Sequence, residues 1–361
     1  MKWVALTTGW QQRGCALYTS RNPLCNLSRI VLIKTRIYLD HAATSPLRSE
    51  ARAAMEEGFA LWANPSSPHA EGRKAKQALE DARERIKRAL GWDGEVILTS
   101  GASEALALAL GRSKAKRTVV SAIEHDAVFR AAPDAQIFDE EKPLDSETML
   151  CVQHVNSETG TINPVSQMAE TVRPTGALIL SDCSQSAGKL GLPDADMLVV
   201  SAHKFGGPIG IGALLVREFN LLEPMGGHER GYRQGTENLP GAIGMAAALE
   251  AGEWATTAEE RATFARGFGA HRLTIGEAVD YIVALTHPTI SAQALLIRLD
   301  AMGFAVSAGS ACSSGTLKKS RVLDAFGVAD DVASRTIRVS IGWSTTAQEL
   351  EQFAEAWRSL S

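Results

Sequence analysis

The chain has 361 residues, 45% of them hydrophobic, and a formal net charge of -4, enough for one large domain and a smaller companion. It shows neither a basic excess that would point to nucleic acid nor, after residue 36, a run near the roughly 20 apolar residues that span a bilayer. The five cysteines, Cys15, Cys25, Cys151, Cys183 and Cys312, form no CxxC pair and have no His-x-x-x-His partner, so a reducing compartment is expected rather than a zinc site or a disulfide framework.

Residues 1–36 carry Lys2, Arg13, Arg21, Arg29, Lys34 and Arg36 with no acidic residue before Asp40, and show neither helical nor alternating periodicity. That composition fits a presequence, or equally an extension from an early start codon. The organised chain is expected to begin at Ile37-Tyr-Leu-Asp40. Helical periodicity follows in 49–61 and, more strongly, in 72–90, where Ala75, Leu79, Ala82, Ile86 and Leu90 recur at three- and four-residue spacing. Short apolar runs come next: 95–98, 118–120, 149–152, 177–180, 197–200 and 211–216, with helical stretches at 103–110 and 166–172 between them. Runs of this length without alternation suit strands buried on both faces of a mostly parallel sheet, giving an α/β core over about 65–220. A long Ala-rich helix over 242–254 and a terminal helix over 346–360 frame the rest. The expected organisation is a large domain over 37–240, whose first segment partly joins the small one, and a small α+β domain over 241–361.

In an open α/β sheet, ligands bind beyond the carboxyl ends of the strands. The residues just after each run are therefore the candidates. Thr99-Ser-Gly-Ala-Ser-Glu104 opens a helix, whose free N–H groups and positive dipole end suit a phosphate, although Ser103 alone also reads as an N-cap. Glu124-His125, Asn156-Ser-Glu-Thr-Gly160 and Asp182-Cys-Ser-Gln185 follow three further runs. Lys204 lies between the run ending at Val200 and a glycine-rich turn; a partly desolvated amine there can form a Schiff base with an aldehyde cofactor. Taken singly, Asp182 reads as a turn residue, His125 as a satisfied core histidine and Lys204 as a surface lysine. Together they match a pyridoxal phosphate ring: an aspartate for the pyridine nitrogen, an imidazole to stack, an amide for the phenolic oxygen and a lysine for the aldehyde.

These pieces, with Tyr38-Leu-Asp-His-Ala-Ala-Thr44, Asn64-Pro-Ser-Ser-Pro-His69, Gly226-Gly-His-Glu-Arg-Gly-Tyr-Arg-Gln-Gly-Thr236, Ser307-Ala-Gly-Ser-Ala-Cys-Ser-Ser314 and Ile337-Arg-Val-Ser-Ile-Gly342, resemble the cysteine desulfurases that serve iron–sulfur cluster assembly, a branch of the class V aminotransferase superfamily. The resemblance covers nearly the whole chain after residue 37. It implies a fold-type I pyridoxal 5'-phosphate enzyme, with a mostly parallel seven-stranded sheet in the large domain and a smaller α+β domain carrying Cys312 and Arg338. It further implies that Lys204 anchors the cofactor, Asp182 pairs with the ring nitrogen, Gln185 bonds the ring oxygen, Asn156 is a further cofactor contact, and His125 stacks and shuttles protons. Ala102, Ser103, Ser201 and His203 would hold the phosphate, with Thr236 reaching in from a second subunit of a homodimer. Arg338, with Asn156, would bind the carboxylate of L-cysteine, and Cys312 would take the sulfur as a persulfide for a cluster scaffold or a tRNA-thiolation relay. The implied location is the bacterial cytoplasm, or the mitochondrial matrix if residues 1–36 are a presequence.

The chain departs from the pattern at Ser157, where relatives carry a second asparagine, at Ser103 in place of threonine, and at Trp343. Segments 126–150 and 252–292 are shorter than in typical relatives. Two other readings stand beside the desulfurase: a selenocysteine lyase or other class V pyridoxal enzyme, and a degenerate binding subunit.

Overall fold

Apolar runs without polar alternation need cover on both faces, and in this chain they assemble into one seven-stranded sheet between helices. The computed structural model describes residues 36–308 and 320–360. In chain order, β1 (Ile37–Tyr38) leads through segment 39–48 to helices α1 (Ser49–Ala60) and α2 (Ala70–Leu90). Then come β2 (Glu95–Thr99), α3 (Ala102–Arg112), β3 (Arg117–Val120), α4 (Asp126–Ala131) and β4 (Gln136–Ile137). They are followed by β5 (Thr148–Cys151), α5 (Val165–Val172), β6 (Leu178–Asp182), β7 (Met197–Ser201) and β8 (Gly212–Val216). The sheet order is β2-β8-β7-β6-β5-β3-β4; β8 runs antiparallel to β2 and β7, and the other pairs are parallel. The expected mostly parallel sheet is thus present.

Local chemistry explains the long helix α2. Its Ala75, Leu79, Ala82, Ile86 and Leu90 form one buried stripe, the His69 side chain accepts a hydrogen bond from Gly72 N, and Gly91 ends it in the left-handed region at φ 65°. Full burial of a side chain such as Ile86 is worth roughly 2–3 kcal/mol. Neither α4 nor β4 was visible in the sequence, since six and two residues are too few to show a period.

Helix α6 (Leu239–Ala251) is apolar all round because it is buried all round: its residues join α1 and α2 in the core that underlies the large sheet. The expected start of the smaller domain at residue 241 falls inside this helix. The helix ends at Gly252, at φ 55°, short of the expected Trp254, whose ring instead packs 5.8 Å from that of Tyr281. Beyond it lie α7 (Ala258–Arg266), β9 (Arg272–Leu273), β10 (Ile282–Thr286), α8 (Ala292–Ala301), β11 (Phe304–Ala305), α9 (Arg321–Ala325), α10 (Asp330–Ala333), β12 (Thr336–Ser340) and α11 (Ala347–Leu360). Strands β12, β10 and β9 form an antiparallel sheet, while β1 pairs in parallel with β11. A second core of Phe264, Phe268, Leu285, Val339, Phe353 and Trp357 fills this part, and Ile37 and Leu39 belong to it.

Candidate active site

Side chains at the carboxyl ends of parallel strands have no strand continuing above them, and a cavity of about 950 Å³ opens there. Strand β6 delivers Asp182 and β7 delivers Ser201, while a single 3-10 turn after β7 carries His203 and Lys204 to the rim. The exit of β2 is Ser100-Gly101, and α3 begins directly at Ala102-Ser103 with its N–H groups free for an anion. Gly101 sits at φ 147°, a conformation that side-chain-bearing residues rarely adopt.

The cavity wall includes Ala102, Ser103, His125, Asp182, Gln185, Ser201, His203, Lys204 and Arg338. Nine of the residues singled out in the sequence thus meet around one space. Two others among the described residues do not line it. The Asn156 side chain is fully buried and spent on its own turn: Oδ1 accepts from Glu158 N at 2.9 Å and Thr159 N at 3.0 Å, and Nδ2 donates to Ile123 O at 3.4 Å. The neighbouring Ser157 lines the cavity. Thr236 is exposed and away from the wall of its own chain's cavity. Cys312 lies outside the described residues.

Several groups have unused hydrogen-bonding capacity. Asp182 is 7% exposed; its Oδ1 accepts from Ser184 N at 2.8 Å. Gln185 donates through Nε2 to Ala42 O at 2.9 Å, and its buried Oε1 has no partner; the buried Ser184 Oγ has none either. Buried polar atoms without partners beside a cavity call for a ligand or water that supplies them. His125 caps α4, its Nδ1 accepting from Ala127 N at 3.1 Å, which fixes the ring proton on Nε2. Burial holds the His125 imidazole below the ordinary histidine range, against the opposing pull of Asp182, so the ring is neutral near pH 7. Burial, with the charges of Lys204 and Lys189, pushes His203 down to about 4. Glu124, fully buried with Oε2 unpartnered, is raised well above the usual carboxylate range by burial.

Sequence reasoning gave no role to the segment 40–48, yet it forms a strap across the site. Lys204 Nζ donates to Ala42 O at 2.7 Å and Ala43 O at 2.8 Å. Thr44 Oγ1 lies 3.1 Å from His203 Nδ1, Ser45 N donates to His203 O at 2.7 Å, and Arg48 N donates to Gly206 O at 2.9 Å. Trp343, a departure without evident consequence in the sequence, pins the strap's far end: its Nε1 donates to Pro46 O at 2.9 Å and the Arg48 guanidinium lies 4.8 Å from its ring. Carbonyls of two alanines carry no side-chain signal, which is why they were missed. Arg321 was missed too; it lines the cavity, donates to the carbonyls of Ala122 and Glu124, and lies 4.1 Å from the Phe129 ring.

The donors and acceptors present fit pyridoxal phosphate: a helix N-terminus and Ser201 for the phosphate, a buried aspartate for the ring nitrogen, and unpartnered Gln185 and Ser184 atoms for ring substituents.

Comparison with known proteins agrees. The family model described as aminotransferase class-V matches residues 37–140 and 136–353. A cysteine desulfurase IscS of Dictyoglomus turgidum is 32% identical, over 91% of this chain and 97% of that protein. One from an Anaeromyxobacter strain is 35% identical, over 88% and 91%. Among solved structures, a NifS-like protein superposes with a TM-score of 0.80 at 28% identity, covering 90% of this chain and 99% of that one. SspA in complex with cysteine does so with a TM-score of 0.74 at 26% identity, covering 86% and 100%. With its sheet, its cavity and these relatives taken together, the chain belongs to the class V aminotransferase family and, within it, to the cysteine desulfurases.

Proposed function

We propose that the cavity is the active site of a pyridoxal-phosphate-dependent cysteine desulfurase that converts L-cysteine to L-alanine and loads the sulfur onto Cys312. The observation that carries this reading is the convergence of Lys204, Asp182, Gln185, His125 and Arg338 on one space. Bound pyridoxal phosphate supplies an electron sink that makes the substrate's α-hydrogen acidic.

The chain's own groups do the rest. Lys204 would hold the cofactor and take the α-proton on Nζ, which Ala42 O and Ala43 O already position. Asp182 would keep the ring nitrogen protonated, Gln185 would bond the ring oxygen, and Ala102, Ser103, Ser201 and His203 would receive the phosphate. The neutral His125 would lie against the ring and exchange its Nε2 proton. Arg338 would take the substrate carboxylate, since a guanidinium matches a carboxylate with paired N–H groups. The Cys312 thiolate attacks the substrate sulfur; the S–S bond forms as the C–S bond breaks, and the substrate carbon gains a proton to become alanine. The products are alanine and a Cys312 persulfide, ready for a sulfur-acceptor protein such as a cluster scaffold or a tRNA-thiolation relay.

The expected state is a homodimer. Thr236 is exposed, and so are Trp62 at 80%, Phe59 at 62% and the cavity-rim residue Ile209 at 79%. Burying such residues against a second copy offsets the cost of displaying them, and Thr236 would then face the neighbouring cavity. Cys151 and Cys183, both buried and free, suit a reducing compartment such as the cytoplasm. No helix among the described residues is long and apolar enough to cross a membrane.

The test is release of alanine and sulfide from L-cysteine with a reductant, by the cofactor-loaded protein and by Cys312→Ala. Equal alanine and sulfide from the parent, both lost in the variant, is expected. Alanine release that survives the substitution would move the protein to the selenocysteine-lyase type of chemistry, and no turnover by a fully loaded parent would overturn the enzyme reading.

A further inference from the structure

Arg338, 7% exposed, is held at both tips of its fork. Nη1 donates to the Ser157 carbonyl at 2.9 Å, and Nη2 donates to Asp40 Oδ1 at 2.7 Å. Nε is buried and has no acceptor among the described residues. A guanidinium offers five N–H groups in one plane. Two contacts at the tips therefore fix its plane while leaving hydrogens, Nε–H among them, for another anion.

Asp40 is well placed to act as an anchor. It forms a parallel bridge with Ser340, two residues after Arg338 on β12, and Leu39 N donates to Ala305 O at 2.9 Å. Tyr38 Oη donates to Asp40 O at 3.1 Å. On the other side, the backbone of Arg338 exchanges hydrogen bonds with Ser307. Both members of the ion pair thus hang on the same small group of strands, so the carboxylate and the guanidinium keep their relation without ordering a long side chain at each turnover. The second anchor, at Ser157, is a backbone carbonyl, which any residue at that position supplies. The departure from asparagine there leaves the grip on Arg338 intact.

We infer that Asp40 is the positioning residue of the substrate-carboxylate clamp: it locks the Arg338 guanidinium in the plane in which its remaining N–H groups receive the carboxylate of the amino-acid substrate. This inference rests on the assignment of Arg338 as that clamp. A purely structural Asp40 would affect folding and all steps alike; a positioning Asp40 acts on substrate capture and acts only through Arg338.

The experiment compares Asp40→Asn with the parent in cofactor-loaded protein, reading the KM for L-cysteine, kcat, and the spectroscopic affinity for L-alanine. Asp40→Asn should raise KM and weaken alanine binding by about tenfold, within the range for groups in direct contact, with a smaller change in kcat. In an Arg338→Lys background the same substitution should add little, because the residue it acts through is gone. Asp40→Glu, which keeps the charge but moves it by one methylene, should lie between parent and Asp40→Asn, and it provides the same readout if Asp40→Asn does not fold. An unchanged or lowered KM in Asp40→Asn, or an equal rise in the Arg338→Lys background, overturns the inference. A loaded parent that neither turns over L-cysteine nor binds L-alanine would instead overturn the desulfurase reading itself.

Discussion

The two sides of the cavity are built by different means. The floor belongs to the large sheet: Asp182 ends β6, Ser201 ends β7, and Lys204 follows within one turn, so strand geometry places each functional side chain. The other side belongs to the strap 40–48, of which Asp40, Ala42 and Ala43 line the cavity and whose grip on Lys204 and Gln185 is made by main-chain carbonyls of Ala42 and Ala43. On the floor, chemistry depends on which side chain is present. Along the strap it depends on where the backbone runs, and that is set by remote contacts such as the Trp343–Pro46 hydrogen bond. Substitutions on the floor should therefore alter the reaction with little effect on stability, and substitutions along the strap, the Arg338 anchor Asp40 apart, should do the reverse.

The largest effect should come from Lys204→Ala: turnover of L-cysteine falls about 10³-fold, as for removal of a group that moves the essential proton, while the thermal unfolding midpoint changes little. Asp182→Asn keeps the shape and removes the charge; steady-state kinetics should show kcat down about 10²-fold with cofactor still bound. On the strap side, a Cβ at Gly342 would lie 1.8 Å from His41 Nδ1. Gly342→Ala should therefore cost about 2–3 kcal/mol of stability in urea titrations.

A smaller effect concerns pH. His41 is buried, with Ser45 Oγ 3.1 Å from Nδ1 and Thr345 Oγ1 3.2 Å from Nε2, and burial, then the charge of Lys189, pushes its imidazole down to about 4. Between about 6.5 and 4 the unfolded chain binds the proton that the folded one refuses, so stability falls as pH falls through that window, by roughly 1–2 kcal/mol at pH 5. His41→Gln should flatten the dependence of the unfolding midpoint on pH. The smallest effect is Trp343→Phe, which removes one hydrogen bond to the strap and should cost about 1 kcal/mol with kcat nearly unchanged.

The contrast also marks what the sequence could reveal. Runs such as Met197–Val200 and Ala177–Leu180 announce buried strands, and polar residues just beyond them announce the floor, so Asp182, His125 and Lys204 were legible from position and type. The strap was not. Ala42 and Ala43 act through carbonyls that every residue has, and Asp40 acts through an ion pair with a residue 298 positions away. Asn156 shows a related point: an amide after a strand suits a ligand, and its oxygen also closes the turn through Thr159, a structural use that residue type alone does not announce. Cys312 was legible as a thiol among small residues and lies outside the described structure.

The central claim is that Lys204 is the reactive amine of this cavity, and a second amine makes the test sharp. Lys189 is half-buried, its Nζ lies 5.1 Å from the centre of the Tyr281 ring, and burial followed by the charge of Lys204 brings it down to about 7. Borohydride reduction of the protein loaded with pyridoxal phosphate, followed by digestion and mass mapping, fixes the cofactor to whichever lysine holds it. A pyridoxyl group on Lys204 alone is the predicted result; a group on Lys189, or none on either lysine, would contradict the account.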